Sequence, residues 1–294
     1  HRDLHSFPTR RSSDLMKTTY LLLIMLTLTV LGVLPAGAQQ PQRDPGNSGW
    51  ELIWRDEFNG KTLDKTKWNV LTRETSKHDE LQYYVPDDVY LENGSLRIRS
   101  RVRDFGNKKF TSGRLDTKDK LMVTYGRFEI RGKLPVGKGM WPAYWLYPQN
   151  RDWLMERAMQ EAVEKGLERY IPEFRPWYTE IDIMEFLGHE PNIVYATFHY
   201  QSFKGERRVS SATYTGKVNY GDDYHLYVLE WEADAIRWYL DGELIHTARE
   251  GVPHSDHFLI INTAIGGSWP GNPDSTTVFP QFHDVDYVRV YKRK

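Results

Sequence analysis

Residues 235–246 read AIRWYLDGELIH, and residues 90–99 read YLENGSLRIR. In each, an alternating apolar and polar run meets a second one across a two-residue step, Asp-Gly in the first and Asn-Gly in the second. A tight hairpin needs positive φ at both central positions, which Asn, Asp and Gly accept and most residues resist. Two such steps commit the chain to antiparallel strands. Further strand patterns cover 125–134, 181–187, 193–200, 224–232, 258–264 and 284–292, with turn residues between them. Many short strands at this spacing predict an all-β sandwich of two antiparallel sheets.

One segment departs from the pattern. DWLMERAMQEAVEKGLERY, 152–170, places Met155, Met159, Val163 and Leu167 at intervals of four, with Glu161 and Lys165 on the polar face and Pro172 and Pro176 beyond the end. This spacing predicts an inserted amphipathic helix. It is either a packed excursion or a rim over a cleft, since it ends shortly before the acidic run at 180.

The chain of 294 residues is 39% hydrophobic and 27% charged, with a formal net charge of −1. That balance suits a globular protein with a large core and offers nothing to nucleic acid. Ten Trp, eighteen Tyr and twelve Phe stand out, many beside polar residues; flat rings there suit sugar binding, while a β-rich core that uses large rings explains most of them. Residues 1–15, HRDLHSFPTRRSSDL, carry no structural pattern and read as an artefact-like segment. From Met16, one Lys, an apolar stretch at 21–34 and Ala36-Gly37-Ala38 form a secretory signal, 16–38, with cleavage expected after Ala38. The apolar stretch is shorter than the roughly 20 residues of a spanning helix, so no membrane anchor is expected. Residues 39–49 form a short tail and 50–294 one domain. With no cysteine, its stability must come from the core alone, and the product is expected to be soluble, secreted and monomeric.

Residues 179–186, TEIDIMEF, gather Glu180, Asp182 and Glu185 with no Lys or Arg among them. On a regular strand Glu180 and Asp182 share one face and Glu185 takes the other. The run therefore demands either a buried Glu185 or a bulge at Ile183-Met184 that returns Glu185 to the acidic face. Burying an unpaired carboxylate costs several kcal/mol, so the bulge is favoured. Two carboxyl groups held close on one face are what a retaining glycosidase needs, one ionised as nucleophile and one protonated as acid; a solvent-facing edge strand with surface acids is the alternative.

Glu180-Ile181-Asp182-Ile183-Met184-Glu185 resembles the E-x-D-x-x-E signature of glycoside hydrolase family 16, in its laminarinase-type β-1,3-glucanase form. The likeness extends to Tyr125–Pro135, to Trp141-Pro142-Ala143-Tyr144-Trp145-Leu146, to Ile265–Gly271 and to Val285–Tyr291, in family order over about 50–293. The resemblance implies a concanavalin A-like β-jelly-roll sandwich with a concave polysaccharide cleft. It assigns Glu180 as nucleophile, Glu185 as general acid/base and Asp182 as the residue assisting Glu180. No cofactor is implied for the chemistry.

Trp141, Trp145 and Trp269 are the rings expected against sugar, while Trp145 could equally be core. His199, Arg114 and Asn262 resemble positions that bind substrate near the acids. Asp79 stands where the laminarinase pattern usually has Asn. A structural Ca²⁺ would be held by Glu57, the backbone of Gly94, and Asp286. The expected activity is endo-hydrolysis of β-1,3-glucan or mixed-linkage β-1,3-1,4-glucan. A κ-carrageenase- or agarase-type galactan hydrolase and a non-catalytic β-glucan-binding protein of the same fold are the alternatives.

Overall fold

Both tight turns form as their dipeptides require, with Asn93 and Gly94 at φ 53° and 77°, and Asp241 and Gly242 at 49° and 87°. The computed structural model describes residues 49–75, 77–149, 163–164, 166, 179–201 and 206–294. The helix expected over 152–170 lies outside the described residues but for Val163, Glu164 and Gly166.

The strands are β1 (Trp50–Asp56), β2 (Asn69–Val70), β3 (Arg73–Glu74), β4 (Gln82–Tyr84), β5 (Val89–Glu92) and β6 (Ser95–Phe105). They continue as β7 (Lys108–Ser112), β8 (Arg114–Asp116), β9 (Gly126–Lys133), β10 (Met140–Pro148), β11 (Glu180–Glu185) and β12 (Ile193–Gln201). The last six are β13 (Arg207–Thr215), β14 (His225–Trp231), β15 (Ile236–Leu240), β16 (Glu243–Ala248), β17 (His257–Ile265) and β18 (Gln281–Arg293). One sheet of seven strands runs β13-β12-β11-β10-β17-β8-β2. The other follows the order β16-β15-β14-β9-β18-β6-β7-β4-β3, with β1 added beside β18 and β5 beside β6. Among the described residues all strand pairings are antiparallel except β4 with β7. This is the two-sheet β-jelly roll that the sequence predicts.

The inward faces of the two sheets make one core. Ile181, Leu259 and Ile261 from the smaller sheet are fully buried together with Phe128, Ile130, Leu229, Val288 and Val290 from the larger. At roughly 1.5–3 kcal/mol for each aliphatic side chain taken out of water, this interior carries the stability of a chain that has no disulfide. A buried polar chain crosses it: Thr263 Oγ1 and Tyr144 Oη lie 3.1 Å and 2.7 Å from the two ring nitrogens of His283. Burial pushes the His283 pKa down to about 3, so the ring is neutral, with one nitrogen donating and the other accepting. No described helix is long and apolar enough to cross a membrane.

Gly132 on β9 lets this polar chain exist. A Cβ there would stand 2.0 Å from Tyr144 Oη and 3.1 Å from the Asp284 carbonyl oxygen. The hydroxyl cannot retreat without leaving His283. Gly132→Ala is expected to destabilise the protein by about 1–3 kcal/mol, read as a lower urea midpoint at unchanged slope.

Candidate active site

Pairing on both sides of β11 locates an extra residue. Against β12, Asp182 is opposite Thr197 and Glu185 opposite Tyr195, so three steps on β11 match two on its neighbour. Against β10, Tyr144 faces Met184 and Trp145 faces Asp182, which skips Ile183. Ile183 and Met184 are consequently both buried in the core, and Glu185 emerges on the face of Glu180 and Asp182. The energetics favour this. The bulge interrupts a ladder bond worth about 1 kcal/mol, whereas burying Met184 contributes roughly 1.5–3 kcal/mol and Glu185 avoids the interior. From the opposite sheet, the indole N–H of Trp238 on β15 donates to the Asp182 carbonyl oxygen at 2.8 Å. That contact satisfies a main-chain oxygen at the irregularity.

Residues opposite one another in an antiparallel ladder share a face, so the registers lay out the open face of the seven-stranded sheet. One row holds Arg114, Asn262, Ala143, Glu185 and Tyr195, and the next holds Trp145, Asp182, Thr197 and Ser211. Glu180 pairs with His199. Trp141 and Trp145 flank the small Ala143 on the same face of β10, so Trp145 belongs to this face and not to the core.

The three acids are not electrostatically alike. Burial pushes the Glu185 pKa from 4.5 to about 7, and the charge of Glu180 adds to the rise, while the Trp141 indole, donating to Oε1 at 3.1 Å, opposes it. Glu180 is also raised by burial, but Lys77 and Arg114 draw it back toward the ionised form. Asp182 is raised well above the usual range by burial and by both neighbouring carboxylates. Its Oδ2 lies 3.5 Å from Nε2 of His199 and has no hydrogen-bond partner among the described residues. Burial lowers the pKa of His199, so the ring is neutral near pH 7.

Of the aromatic residues expected at the site, Trp269 stands 41% exposed with its ring edge-on to Trp141 at 5.4 Å. Tyr195 closes the group, 4.9 Å from Trp269. Asn262 does something other than present a free amide to solvent. Its Oδ1 accepts from the Trp145 indole at 2.7 Å and its Nδ2 donates to Tyr84 Oη at 3.2 Å, so it fixes the Trp145 ring. Arg114 lies over the same ring at 4.9 Å. Asp79 takes φ 61°, in the left-handed region that Asp and Asn tolerate best.

The expected calcium ligands are otherwise engaged. Glu57 accepts two hydrogen bonds from Arg289, both at 2.8 Å, and Asp286 accepts one from Arg131 at 2.8 Å. Gly94 sits in the β5–β6 turn. A guanidinium supplies a positive charge at each carboxylate.

Tyr195, Lys77 and Trp238 were not foreseen. Tyr195 had a signal: Tyr195, Thr197 and His199 alternate with buried Val194, Ala196 and Phe198. Lys77 sits in a loop and Trp238 in an ordinary core pattern, and neither carries a mark of its role.

Acids on the floor of an aromatic-lined face of a β-jelly roll define a glycoside hydrolase. The chain belongs to glycosyl hydrolases family 16, whose family model matches residues 83–289. A second family model, described as beta-glucan synthesis-associated protein SKN1/KRE6/Sbg1, matches residues 10–151. Among relatives, a beta-glucanase of Rhodothermus marinus is 33% identical, with 98% of this chain and 98% of that protein aligned. Glucan endo-1,3-beta-glucosidase A1 of Niallia circulans is also 33% identical over 85% of this chain, which spans only 39% of that longer protein. The catalytic domain of an endo-1,3-beta-glucanase (laminarinase) from Thermotoga petrophila superposes with a TM-score of 0.69 at 33% identity, covering 83% of this chain and 98% of that one.

Glu185 binds a proton in the folded state that the unfolded chain has already released between pH 4.5 and about 7. Stability therefore falls as pH rises through that window and stays reduced above it. Glu185→Gln is expected to stabilise the fold by on the order of 2 kcal/mol at pH 8 and by much less at pH 5, checked by urea unfolding at the two pH values.

Proposed function

We propose that the protein is a secreted, monomeric, endo-acting and retaining β-glucanase, cleaving β-1,3-glucan of the laminarin type or mixed-linkage β-1,3-1,4-glucan. The observation that carries this is the unequal treatment of two carboxyls on one bulged strand: the charges of Lys77 and Arg114 draw Glu180 toward the ionised form, whereas burial and Glu180 raise the Glu185 pKa to about 7. The names of the Niallia, Rhodothermus and Thermotoga relatives support the substrate class. Residues 16–38 would direct export, with the mature chain beginning at Gln39.

The ionised Glu180 attacks the anomeric carbon while the bond to the leaving oxygen breaks, and Glu185 delivers its proton to that oxygen. Asp182, whose pKa burial and both neighbouring carboxylates raise, assists Glu180 by limiting the charge gathered at the floor. In the second half Glu185 takes a proton from water, which attacks the glycosyl-enzyme ester and frees Glu180. Two inversions leave the anomeric configuration unchanged. Trp141, Trp145 and Trp269 offer flat faces to the sugar rings. All of these groups belong to the protein, and no step passes through a metal.

Proton NMR of laminarin or lichenan during hydrolysis should show the β-anomer first, and an initial α-anomer would refute the mechanism. Glu185→Gln is expected to lower kcat by on the order of 10³-fold, and Glu180→Gln by at least as much. Because Glu185 must be protonated to act as acid, kcat/KM should fall with rising pH around a midpoint near about 7. Trp141→Phe removes the donor that favours the Glu185 carboxylate, so this limb should move to higher pH. A limb that stays put or moves down would contradict the assignment of Glu185.

A further inference from the structure

Glu180, Asp182 and His199 each offer a ligand atom, and the three atoms lie within 4.8 Å of one another. This cluster is more than a set of acids. Asp182 is 4% exposed, and its Oδ2 is buried without a hydrogen-bond partner among the described residues, although it points toward an imidazole nitrogen. At 3.5 Å, Oδ2 and Nε2 are too far apart for a good hydrogen bond. Two ligand atoms bound to one zinc ion at about 2.0–2.2 Å and the tetrahedral angle stand about 3.3–3.6 Å apart. The 3.5 Å gap matches one edge of such a shell, and the third ligand atom lies within 4.8 Å of both.

We propose that Glu180, Asp182 and His199 form an inhibitory site for a zinc-class divalent cation, bound by two carboxylate oxygens and one imidazole nitrogen with the fourth position open. Imidazole in the donor set favours Zn²⁺, Co²⁺, Ni²⁺ or Cu²⁺ over calcium or magnesium, which take oxygen ligands. The pairing of Glu180 with His199 across β11 and β12 holds two of the ligands on adjacent strands, and the sheet supplies their rigidity. Lys77 and Arg114, close enough to Glu180 to affect its charge, oppose a dication and weaken the expected affinity. The cation would occupy the proposed nucleophile, so the inhibitory consequence rests on the function proposed above while the binding site does not.

The test uses the full chain with any affinity tag removed. Calorimetric titration with Zn²⁺ and the visible absorption of added Co²⁺ are followed in the absence of substrate. One ion per chain is expected, with His199→Gln and Asp182→Asn each weakening binding by at least about tenfold. His254→Gln, at a ring hydrogen-bonded to Tyr125, should leave the affinity unchanged. Near-UV circular dichroism of each variant confirms that it is folded. Zn²⁺ should also stop hydrolysis of laminarin, and a chelator should restore it. No binding up to about 1 mM Zn²⁺, undiminished binding by His199→Gln, or Zn²⁺ bound without loss of hydrolysis would each overturn the proposal. A metal-free protein that hydrolyses no glucan yet binds Zn²⁺ in the expected pattern would refute the glucanase reading and leave the binding site standing.

Discussion

The extra residue in β11 is the constraint on which the active face depends. Without it, Met184 would point to solvent and Glu185 into a core of Ile181, Leu259 and Ile261. Hydrophobic burial and carboxylate solvation thus favour the same backbone irregularity, and neither has to be sacrificed to the other. What the irregularity leaves exposed inside the sandwich, the Asp182 carbonyl, is met by the Trp238 indole from the opposite sheet. The two sheets are coupled at that point by a directional contact as well as by apolar packing. A core residue therefore helps to set the aim of the acids.

Gathering three carboxyls on a buried floor works against folding and in favour of chemistry. Burial is the largest influence on each of them and raises all three. Their division of labour comes from smaller differences at the two ends of the strand. Cations stand near Glu180, while Glu185 has an indole N–H and the charge of Glu180. Because one hydrogen bond or one charge at this range is worth about the free energy of a unit of pKa, neighbours of this size are enough to separate a nucleophile from an acid. The stability given up here must come from the core, and the disulfide-free interior with its buried aromatic residues supplies it.

Much of this was legible in the sequence because it rested on local rules. The Asn-Gly and Asp-Gly turns follow from backbone sterics at two adjacent residues, and the bulge follows from counting faces along six. Contacts between distant segments were not legible. Asn262 looked like a sugar ligand, but it is β17 lying against β10, with Tyr84 behind it, that turns its amide toward Trp145. Glu57 reads as a metal ligand in the sequence, and nothing there shows that Arg289, 232 residues away, donates to both of its oxygens. Tyr195 shared the alternation of His199, yet only the pairing of β11 with β12 sets it opposite Glu185.

The same pairings explain why the aromatic residues around the acids differ in freedom. Trp145 is held on its polar edge by Asn262 and covered by Arg114, so its plane is set by the sheet. Trp141 is tied to the proposed acid itself through the Glu185 hydrogen bond, which couples the position of a ring to the charge of the carboxylate beside it. Trp269 rests on Trp141 and Tyr195 through ring contacts, in a loop whose Gly266 and Gly267 take positive φ. Gly267 could not carry a side chain, because a Cβ would come within 2.8 Å of the His78 carbonyl oxygen in the loop that also bears Lys77. The Ser268 N–H donates to that same carbonyl at 2.8 Å. One main-chain junction thus joins the loop that presents Trp269 to the loop that brings a positive charge to Glu180, and a change that loosens it would disturb sugar stacking and nucleophile ionisation together.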